Sequence, residues 1–252
     1  MRLGDTEYPS LRGKVSDEEW RARVELAALY RLVPLMGWDD LSITHCSARV
    51  PGKPHYLFNP MGFLFEEITA SSLIKITLEG EVLSETPFEI TLGGWYPMKA
   101  VHAAREDANF VIHTHDTYGI ALSARKEKLQ PVSQGAGFVI ADKIAYHDYD
   151  GVETYEDRIV GLQKSLGDAN RLILHNHGLL TVGRTARQAF QRMHGLNKAC
   201  LVQLLAGRSE ELIHLPESIL AGFPAEITRA QGNNPWPGML RKLDRLDPSY
   251  KD

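Results

Sequence analysis

The sequence is poor in cysteine, has no long apolar run and carries no excess of positive charge. Its 252 residues include only two cysteines, Cys46 and Cys200, which are too few for a disulfide framework, so both thiols are expected to be reduced. No apolar run approaches the length of a membrane span, and residues 1–6 lack the apolar core of a secretion signal. We therefore predict a cytoplasmic protein with no membrane contact.

The balance of charge argues against a nucleic-acid partner. The chain has 28 Lys and Arg residues against 32 Asp and Glu residues, a formal net charge of -4, and it has no basic stripe of the kind that follows a phosphate backbone. Hydrophobic residues make up 43% of the chain and charged residues 24%, which is typical of a globular domain. These values give no support to a nucleic-acid partner.

The most informative pattern is an apolar run that ends in His-x-His, and it occurs twice. The first copy ends in His113 and His115, and the second ends in His175 and His177. Residues i and i+2 of a β-strand point to the same face, so each pair could aim both imidazoles at one point. If the two strands lay side by side, up to four imidazoles would meet. The alternative is a hydrogen-bonded histidine pair at each strand end, and the pattern alone does not say which histidines bind.

A cluster of imidazoles indicates a divalent metal ion. Imidazole is the commonest protein ligand of Zn²⁺ and suits other divalent transition metals. Three protein ligands with one open position are typical of a catalytic rather than a structural site. No CxxC or HExxH pattern competes for this role. We expect Zn²⁺ first, with Mn²⁺, Co²⁺ and Fe²⁺ as alternatives.

The order of helical and strand patterns predicts the fold. Residues 1–15 are polar and interrupted by Gly and Pro, which is typical of a flexible N-terminal arm. Ser16, followed three residues later by Glu19, forms the capping-box pattern of a helix start. Beyond it, helices and strands alternate without a linker, which predicts an α/β fold: a three-layer α/β/α domain with a mixed, largely antiparallel central sheet. We assign residues 16–252 to this single domain, with a C-terminal helical extension.

Six short motifs, all between residues 24 and 205, carry a resemblance to a known family. They are Gly37-Trp38-Asp39-Asp40, Thr44-His45-Cys46-Ser47-Ala48-Arg49, the stretch 59–69 that begins Asn59-Pro60-Met61-Gly62, Arg105-Glu106-Asp107, Ile112-His113-Thr114-His115, and Asn176-His177-Gly178-Leu179-Leu180. In these motifs the chain resembles the class II aldolase and adducin head-domain family. Its tail, residues 240–250, looks like the bacterial adducin-like branch.

The resemblance implies a fold, an assembly and a set of ligands. It implies an α/β/α fold and a ring-shaped homotetramer whose active sites lie at subunit interfaces. It also implies that His113, His115 and His177 bind the ion. His175 is then left as a neighbouring or substrate-facing residue.

The chain departs from the sugar-phosphate aldolases of this family at several positions, including the phosphate-binding loops and the acid/base position. Where those enzymes carry a glutamate that serves as acid and base, this chain has Gly94. A glycine brings no acid/base group, so we expect open space beside the ion at this position. The remaining candidates for a catalytic proton donor or acceptor are His175, His45 and Tyr146, and each could equally be a hydrogen-bonded residue of the core.

These observations predict a metal-dependent carbon–carbon lyase that acts on a small oxo- or hydroxy-acid through a metal-stabilised enolate. The reaction could be aldol-type cleavage or decarboxylation. Decarboxylation needs an electron sink and a later proton donor but no base, so it is less affected by the missing glutamate. Two alternatives stay open: a non-catalytic interaction protein of the adducin type, and an Fe(II) oxygenase that uses three histidines on the same fold.

Overall fold

A seven-stranded sheet forms the centre of the computed structural model, which describes residues 8–151, 156–207, 211–229 and 234–252. The strands are β1 (His45–Arg49), β2 (Tyr56–Phe58), β3 (Ile74–Ile76), β4 (Phe110–Thr114), β5 (Ile144–His147), β6 (Arg171–Leu174) and β7 (Gly178–Gly183). Their spatial order is β3-β2-β1-β4-β7-β6-β5. Neighbouring strands pair antiparallel, except β5 and β6, which are parallel. The predicted mixed, largely antiparallel sheet is confirmed.

Helices cover both faces of this sheet. On one face lie α1 (Asp17–Leu35), α3 (Thr117–Ser123), α4 (Gln134–Ala141) and α6 (Ala186–Ala206), and on the other lie α2 (Leu92–Ala104) and α5 (Glu156–Leu166). The chain continues through α7 (Glu217–Leu220), α8 (Phe223–Arg229) and α9 (Trp236–Leu246). Successive residues of β4 point to opposite faces of the sheet. Ile112 packs into the core on the side of α1, and Val111 packs into the core on the side of α2. The predicted α/β/α layering is therefore confirmed.

The lengths and compositions of the described helices bear on whether the chain could span a membrane. Within the described residues, no helix combines the length and the apolar character that a bilayer span requires. The cytoplasmic location stays a prediction.

The start of α1 follows the predicted capping pattern only in part. The Ser16 hydroxyl accepts a hydrogen bond from the Glu19 amide, as a cap does. The Glu19 carboxylate, which a capping box would return to the Ser16 amide, instead lies 2.9 Å from the Arg23 guanidinium and 3.1 Å from the Lys75 ammonium. Arg23 is fully buried, so it needs a counter-charge, and this tertiary ion pair prevails over the local cap.

Both ends of the described chain contact the surface near α1. The Arg31 guanidinium lies 2.7 Å from the Asp247 carboxylate and donates to the Ser249 hydroxyl. At the other end, the Leu11 amide donates to the Ser71 hydroxyl at 3.0 Å. Residues 8–15 of the predicted arm are therefore partly held by hydrogen bonds. The extent of a flexible arm and the single-domain assignment of residues 16–252 stay predictions.

A buried histidine–serine pair joins α2 to β1. Nδ1–H of His102 donates to the Ala108 carbonyl at 2.9 Å, and Nε2 accepts from the Ser47 hydroxyl at 2.9 Å. Both side chains are buried. Burial, with a further contribution from the charge of Arg49, lowers the pKa of His102 to about 3. The ring is therefore neutral in the folded chain.

This neutral ring makes stability depend on pH. In the unfolded chain His102 titrates near its ordinary pKa of about 6.5. Between that value and the folded pKa the unfolded state binds more protons, so the free energy of unfolding falls as the pH falls, by up to about 1.4 kcal/mol per pH unit. His102→Asn keeps a donor for Ala108 and removes the titrating group, so it should show a shallower slope in urea unfolding measured from about pH 6 to about pH 4. An unchanged slope would contradict this account.

Candidate metal centre

The first two histidines of the site come from the middle of the sheet. β4 pairs antiparallel with β7, and His113 lies opposite Leu180. Gly178 opens β7 where the two strands approach most closely, because a Cβ at this position would lie 2.2 Å from the Thr114 carbonyl oxygen. His113 is the fourth residue of β4, and His115 follows the strand end. The site therefore lies where β4 ends and β7 begins.

The second His-x-His lies in a turn, which differs from the strand geometry that we predicted. β7 separates β4 from β6 in the sheet, and residues 175–177 connect β6 to β7 with Leu174 opposite Gly178. Asn176 has a φ of 58°, a left-handed conformation that asparagine tolerates better than most residues. The same-face rule for residues i and i+2 does not apply in such a turn. Consequently the rings of His175 and His177 point to different partners.

Three imidazoles nevertheless converge. Nε2 of His115 lies 3.0 Å from Nε2 of His113 and 2.9 Å from Nε2 of His177. Two nitrogens bound to a tetrahedral zinc ion at about 2.0–2.1 Å would sit roughly 3.3 Å apart. A small outward movement of the rings would fit this spacing. The three side chains thus form a cluster that could hold a metal ion.

Hydrogen bonds on the far side of two rings determine which nitrogen carries the proton. Nδ1–H of His113 donates to the Leu179 carbonyl at 3.0 Å, and Nδ1–H of His115 faces the Asp40 carboxylate at 3.3 Å. Rings bonded in this way direct their Nε2 lone pairs towards one another, which is unfavourable unless a cation lies between them. Carboxylate and carbonyl acceptors behind the ring are typical of metal-binding histidines.

Burial keeps two of these rings uncharged. It lowers the pKa of His113 well below the ordinary value and that of His177 to about 4. A metal ligand must be the neutral imidazole. At neutral pH both rings are therefore already in the protonation state that an ion requires.

The cluster forms one wall of a cavity of about 600 Å³, a volume within the range of small-molecule sites. The wall also includes Asp40, Ser42, His45, Gly94 and Asn176. Among the described residues that line this cavity there is no Lys or Arg, and Asp40 supplies the carboxylate. The metal cluster would therefore provide most of the positive charge available to a bound molecule.

His45 is the sequence-predicted acid/base candidate that the structure brings to this cavity. It lies opposite His113 in the pairing of β1 with β4. Its Nδ1 is 3.1 Å from Oδ1 of Asn59, and only 5% of the residue is exposed. Burial lowers its pKa to about 4. At neutral pH His45 is thus an uncharged ring held beside the cluster.

The expectation that Gly94 leaves open space beside the ion is wrong. An ideal Cβ on Gly94 would lie 2.1 Å from Nε2 and 2.4 Å from Cδ2 of His45. The imidazole of His45 therefore occupies the volume that a side chain at position 94 would need. The contact joins β1 to the first turn of α2 across the fold, so no local pattern could have shown it.

The other two acid/base candidates lie apart from the cavity. Nδ1–H of His175 donates to the Ser123 carbonyl at 2.8 Å, and its ring stacks on Tyr146 with 5.8 Å between centroids. The Tyr146 hydroxyl accepts from the Leu129 amide at 3.0 Å, and burial raises its pKa. Neither side chain lines the cavity. The geometry gives both residues a packing role beside the turn that carries His177.

Sequence analysis missed two polar residues, Asp40 and Asn59, which hold His115 and His45 from behind. Both lie within motifs that carry the family resemblance. Asn59 directly follows β2 and is buried, so the signal that found the histidines, a polar residue at a strand end, could have found it. Nothing local links Asp40 to a histidine that lies 75 positions further along the chain.

Comparison with known families agrees with the fold and with the three-histidine cluster. Residues 24–204 match the model of the Class II Aldolase and Adducin N-terminal domain. The chain belongs to this family. Class II aldolases depend on a divalent metal ion, and the described part of this chain contains a histidine cluster of the kind that can hold one.

Relatives from both branches of the family are similar over most of the chain. A Caulobacter vibrioides protein named for class 2 aldolases is 47% identical over 96% of each chain. Alpha-adducin of Rattus norvegicus is 40% identical over 89% of this chain but only 33% of its own length. Two solved structures are similar throughout: an aldolase II superfamily protein from Pseudomonas syringae (TM-score 0.89, 40% identity, 97% of this chain and 100% of that one), and an L-fuculose 1-phosphate aldolase from Glaciozyma antarctica (TM-score 0.80, 26% identity, 98% and 96%).

His113→Ala, His115→Ala and His177→Ala should each abolish tight binding of a divalent ion, because each removes one of three convergent Nε2 atoms. Protein purified without a histidine tag should contain about one metal ion per chain by elemental analysis. His175→Ala is the matched control and should keep full occupancy, since its ring is bonded to Ser123. Metal loss in His175→Ala with retention in His177→Ala would show that the wrong member of the pair was chosen.

Asp40→Asn should weaken metal binding about tenfold, because the amide is a poorer acceptor for Nδ1–H of His115 and makes that ring less basic. The Asp40 side chain is 45% exposed, which places the effect at the low end of the roughly 10–100-fold range for such partners. Competition with a chelator measures it. The exposed neighbour provides the control: Asp39→Asn should leave the affinity unchanged, and an equal loss in both variants would point to a general charge effect.

Proposed function

We propose that this chain is a metal-dependent carbon–carbon lyase that cleaves a small oxo- or hydroxy-acid. The observation that carries the proposal is the convergence of three Nε2 atoms in the wall of a cavity large enough for such a molecule. Membership in the class II aldolase and adducin family, and the likeness to an L-fuculose 1-phosphate aldolase, favour aldol-type cleavage.

His113, His115 and His177 would hold the ion and leave a coordination position for substrate. When bound, a divalent ion supplies a Lewis acid that polarises a carbonyl and stabilises the negative charge that bond cleavage leaves on its oxygen. Zn²⁺ suits three neutral imidazoles best, and Mn²⁺, Co²⁺ and Fe²⁺ are alternatives for the same ligands. His45 is the protein group placed to exchange a proton with a molecule in the cavity.

The wall of the cavity favours a small carboxylic acid over a phosphate ester. The described lining includes no Lys or Arg, and a carboxylate needs less positive charge around it than a phosphate dianion does. A carboxylate next to a carbonyl or hydroxyl group could instead reach the histidine cluster. Ser42, Thr91 and Asn176 offer hydroxyl and amide groups to the remaining oxygens.

The homotetramer with interface active sites remains part of the proposal. Ile43, Met61 and Tyr149 line the cavity, and between 50% and 55% of each residue is exposed. An apolar rim around a polar cavity is typical of a surface that a partner covers. A second subunit placed here would also limit the entry of water to the cluster.

Two other functions compete with the lyase. A binding protein of the adducin type is favoured by 40% identity to alpha-adducin over 89% of this chain. Such a protein needs the fold but not the convergence of three imidazole Nε2 atoms on one point. An Fe(II) oxygenase would use the same three histidines, and it would differ from a lyase by consuming oxygen.

The test is turnover of a panel of small α-oxo, β-oxo and hydroxy acids by tag-free protein loaded with Zn²⁺, Mn²⁺, Co²⁺ or Fe²⁺. A lyase should release an aldehyde or CO₂, and His113→Ala should abolish the release. His45→Ala should keep the metal and lower the rate by about 10²-fold or more, which is typical of a lost general base. Oxygen uptake with Fe²⁺ would indicate the oxygenase. A metal-loaded chain that converts no member of the panel would favour the adducin-type alternative.

A further inference from the structure

His45 is held from behind by the side-chain amide of Asn59. Nδ1 of His45 lies 3.1 Å from Oδ1 of Asn59, and Nδ2 of Asn59 donates to the Pro60 carbonyl at 3.1 Å. A carbonyl oxygen can only accept, so this second bond fixes which end of the amide is the NH₂ group. The end that faces His45 is therefore the oxygen. Nδ1 of His45 must carry the proton, and Nε2 is left with a lone pair.

The amide is itself anchored to the core by Tyr30. The Tyr30 hydroxyl lies 2.9 Å from Oδ1 of Asn59, accepts from the Cys46 amide at 2.9 Å and contacts the Cys46 carbonyl. Tyr30 and Asn59 are both buried. Because Tyr30 lies in α1, Asn59 follows β2 and His45 begins β1, three separate elements meet at the Asn59 amide. The hydroxyl has one proton, for which Oδ1 of Asn59 and the Cys46 carbonyl are alternative acceptors, and the Cys46 amide holds the phenol oxygen between them.

Gly94 packs against the edge of the His45 imidazole that carries Nε2. The imidazole lies so close to its Cα that a Cβ would be 2.1 Å from Nε2. The neighbouring Gly93 is different, because a Cβ there would meet no atom within 4 Å. Both glycines line the cavity. A hydrogen bond therefore holds the ring at Nδ1, and the edge that carries Nε2 packs against the backbone of Gly94.

We propose that Tyr30, Asn59 and Gly94 are positioning residues that hold His45 in its Nδ1–H tautomer, with the Nε2 lone pair presented to a substrate in the cavity. The chemical use of this arrangement rests on the proposed lyase function. A ring in this state can accept a proton but has none to give at Nε2. The first proton movement must therefore take a proton from the substrate.

The Nδ1–H tautomer of His45 favours one of the two candidate reactions, aldol cleavage and decarboxylation. In aldol cleavage, Nε2 takes the proton of a hydroxyl group β to a carbonyl, and the O–H electron pair becomes the second bond of a new aldehyde. The carbon–carbon bond breaks, its electrons pass to the carbonyl-bearing fragment, and that fragment recovers the proton from Nε2. Decarboxylation begins without removal of a proton and needs a donor afterwards. The geometry therefore favours aldol cleavage of an acid that carries a hydroxyl group β to a ketone carbonyl.

The tautomer can be observed directly by NMR of protein labelled with ¹⁵N-histidine, in the metal-free and the Zn²⁺-loaded forms. Comparison with His45→Gln assigns the ring, and the proton should be on Nδ1. Asn59→Leu removes the acceptor and should abolish this preference, whereas Asn59→Asp keeps an accepting oxygen and should retain it. A proton on Nε2 in the natural chain, or unchanged His45 signals in Asn59→Leu, would overturn the proposal.

The test of Tyr30 needs a control variant that loses the hydroxyl group of a different buried tyrosine. Tyr30→Phe should shift the His45 ring signals. Tyr56→Phe is the control, because Tyr56 is also buried but its hydroxyl accepts from Arg49 rather than from the His45 network, and it should leave those signals unchanged. Equal responses in the two variants would remove Tyr30 from the positioning set.

Thermal unfolding tests whether the His45 ring packs against Gly94. Gly94→Ala should lower the Tm and displace the His45 signals, whereas Gly93→Ala should leave those signals unchanged and should not lower the Tm. Adding His45→Ala to Gly94→Ala should recover part of the lost Tm, because the smaller side chain removes the clash, and such coupling is expected only between residues in contact. Equal Tm values for the two glycine variants would show that the ring does not occupy this space.

These measurements separate the inference from the proposed function. Ring state and Tm need no turnover, so they report on the network even if the chain is not a lyase. Conversely, if the panel identifies a turned-over acid, Asn59→Leu should lower its kcat about tenfold or more while Zn²⁺ binding is unchanged, and Asn59→Asp should restore the rate. Full turnover in Asn59→Leu would overturn the positioning role and leave the lyase intact.

Discussion

The antiparallel pairing of β4 with β7 is the contact on which the candidate site depends. It brings the end of β4, which carries His113 and His115, beside the turn that carries His177. Gly178 permits this approach because any side chain there would collide with the Thr114 carbonyl. Both strands lie in the interior of a sheet that helices cover on two faces, so the backbone, rather than flexible side chains, sets where the ring nitrogens meet.

Three of the four histidine rings that line the cavity share one kind of hydrogen bond. His113 is bonded at Nδ1 to a backbone carbonyl, His115 to a carboxylate and His45 to a side-chain amide. Each acceptor leaves the lone pair at Nε2, which is the state that a metal ligand and a proton acceptor both need. The same hydrogen bond at Nδ1 therefore suits a ring both to bind a metal ion and to accept a proton, and the direction in which Nε2 points distinguishes the two roles. The Nε2 atoms of His113, His115 and His177 converge on one point, while His45 lines the same cavity with its ring packed against Gly94.

The sequence predicted features that depend on short spacing and missed those that depend on the packing of distant elements. The α/β/α layers, the mixed sheet and the Ser16 cap follow from periodicity and capping chemistry, and the structure confirms them. The His-x-His pattern correctly pointed to a cluster, but its strand geometry holds only near β4, since a turn separates β6 from β7. The partners of His115 and His45 lie on other elements, so no local pattern contained them.

In the proposed lyase, the imidazole of His45 takes the place of the carboxylate that the resemblance to sugar-phosphate aldolases implies at position 94, which changes the charge of the site as well as its base. A glutamate at position 94 would place a negative charge beside a divalent ion, whereas the neutral His45 ring adds none. Asp40 would then be the carboxylate of the described cavity wall, and it is already engaged by His115. In a partly buried cavity an ion of charge +2 with so little compensation attracts anions strongly. In the proposed lyase, a substrate carboxylate would supply the missing negative charge, so an uncharged His45 ring beside the ion would favour an acidic substrate over a neutral one.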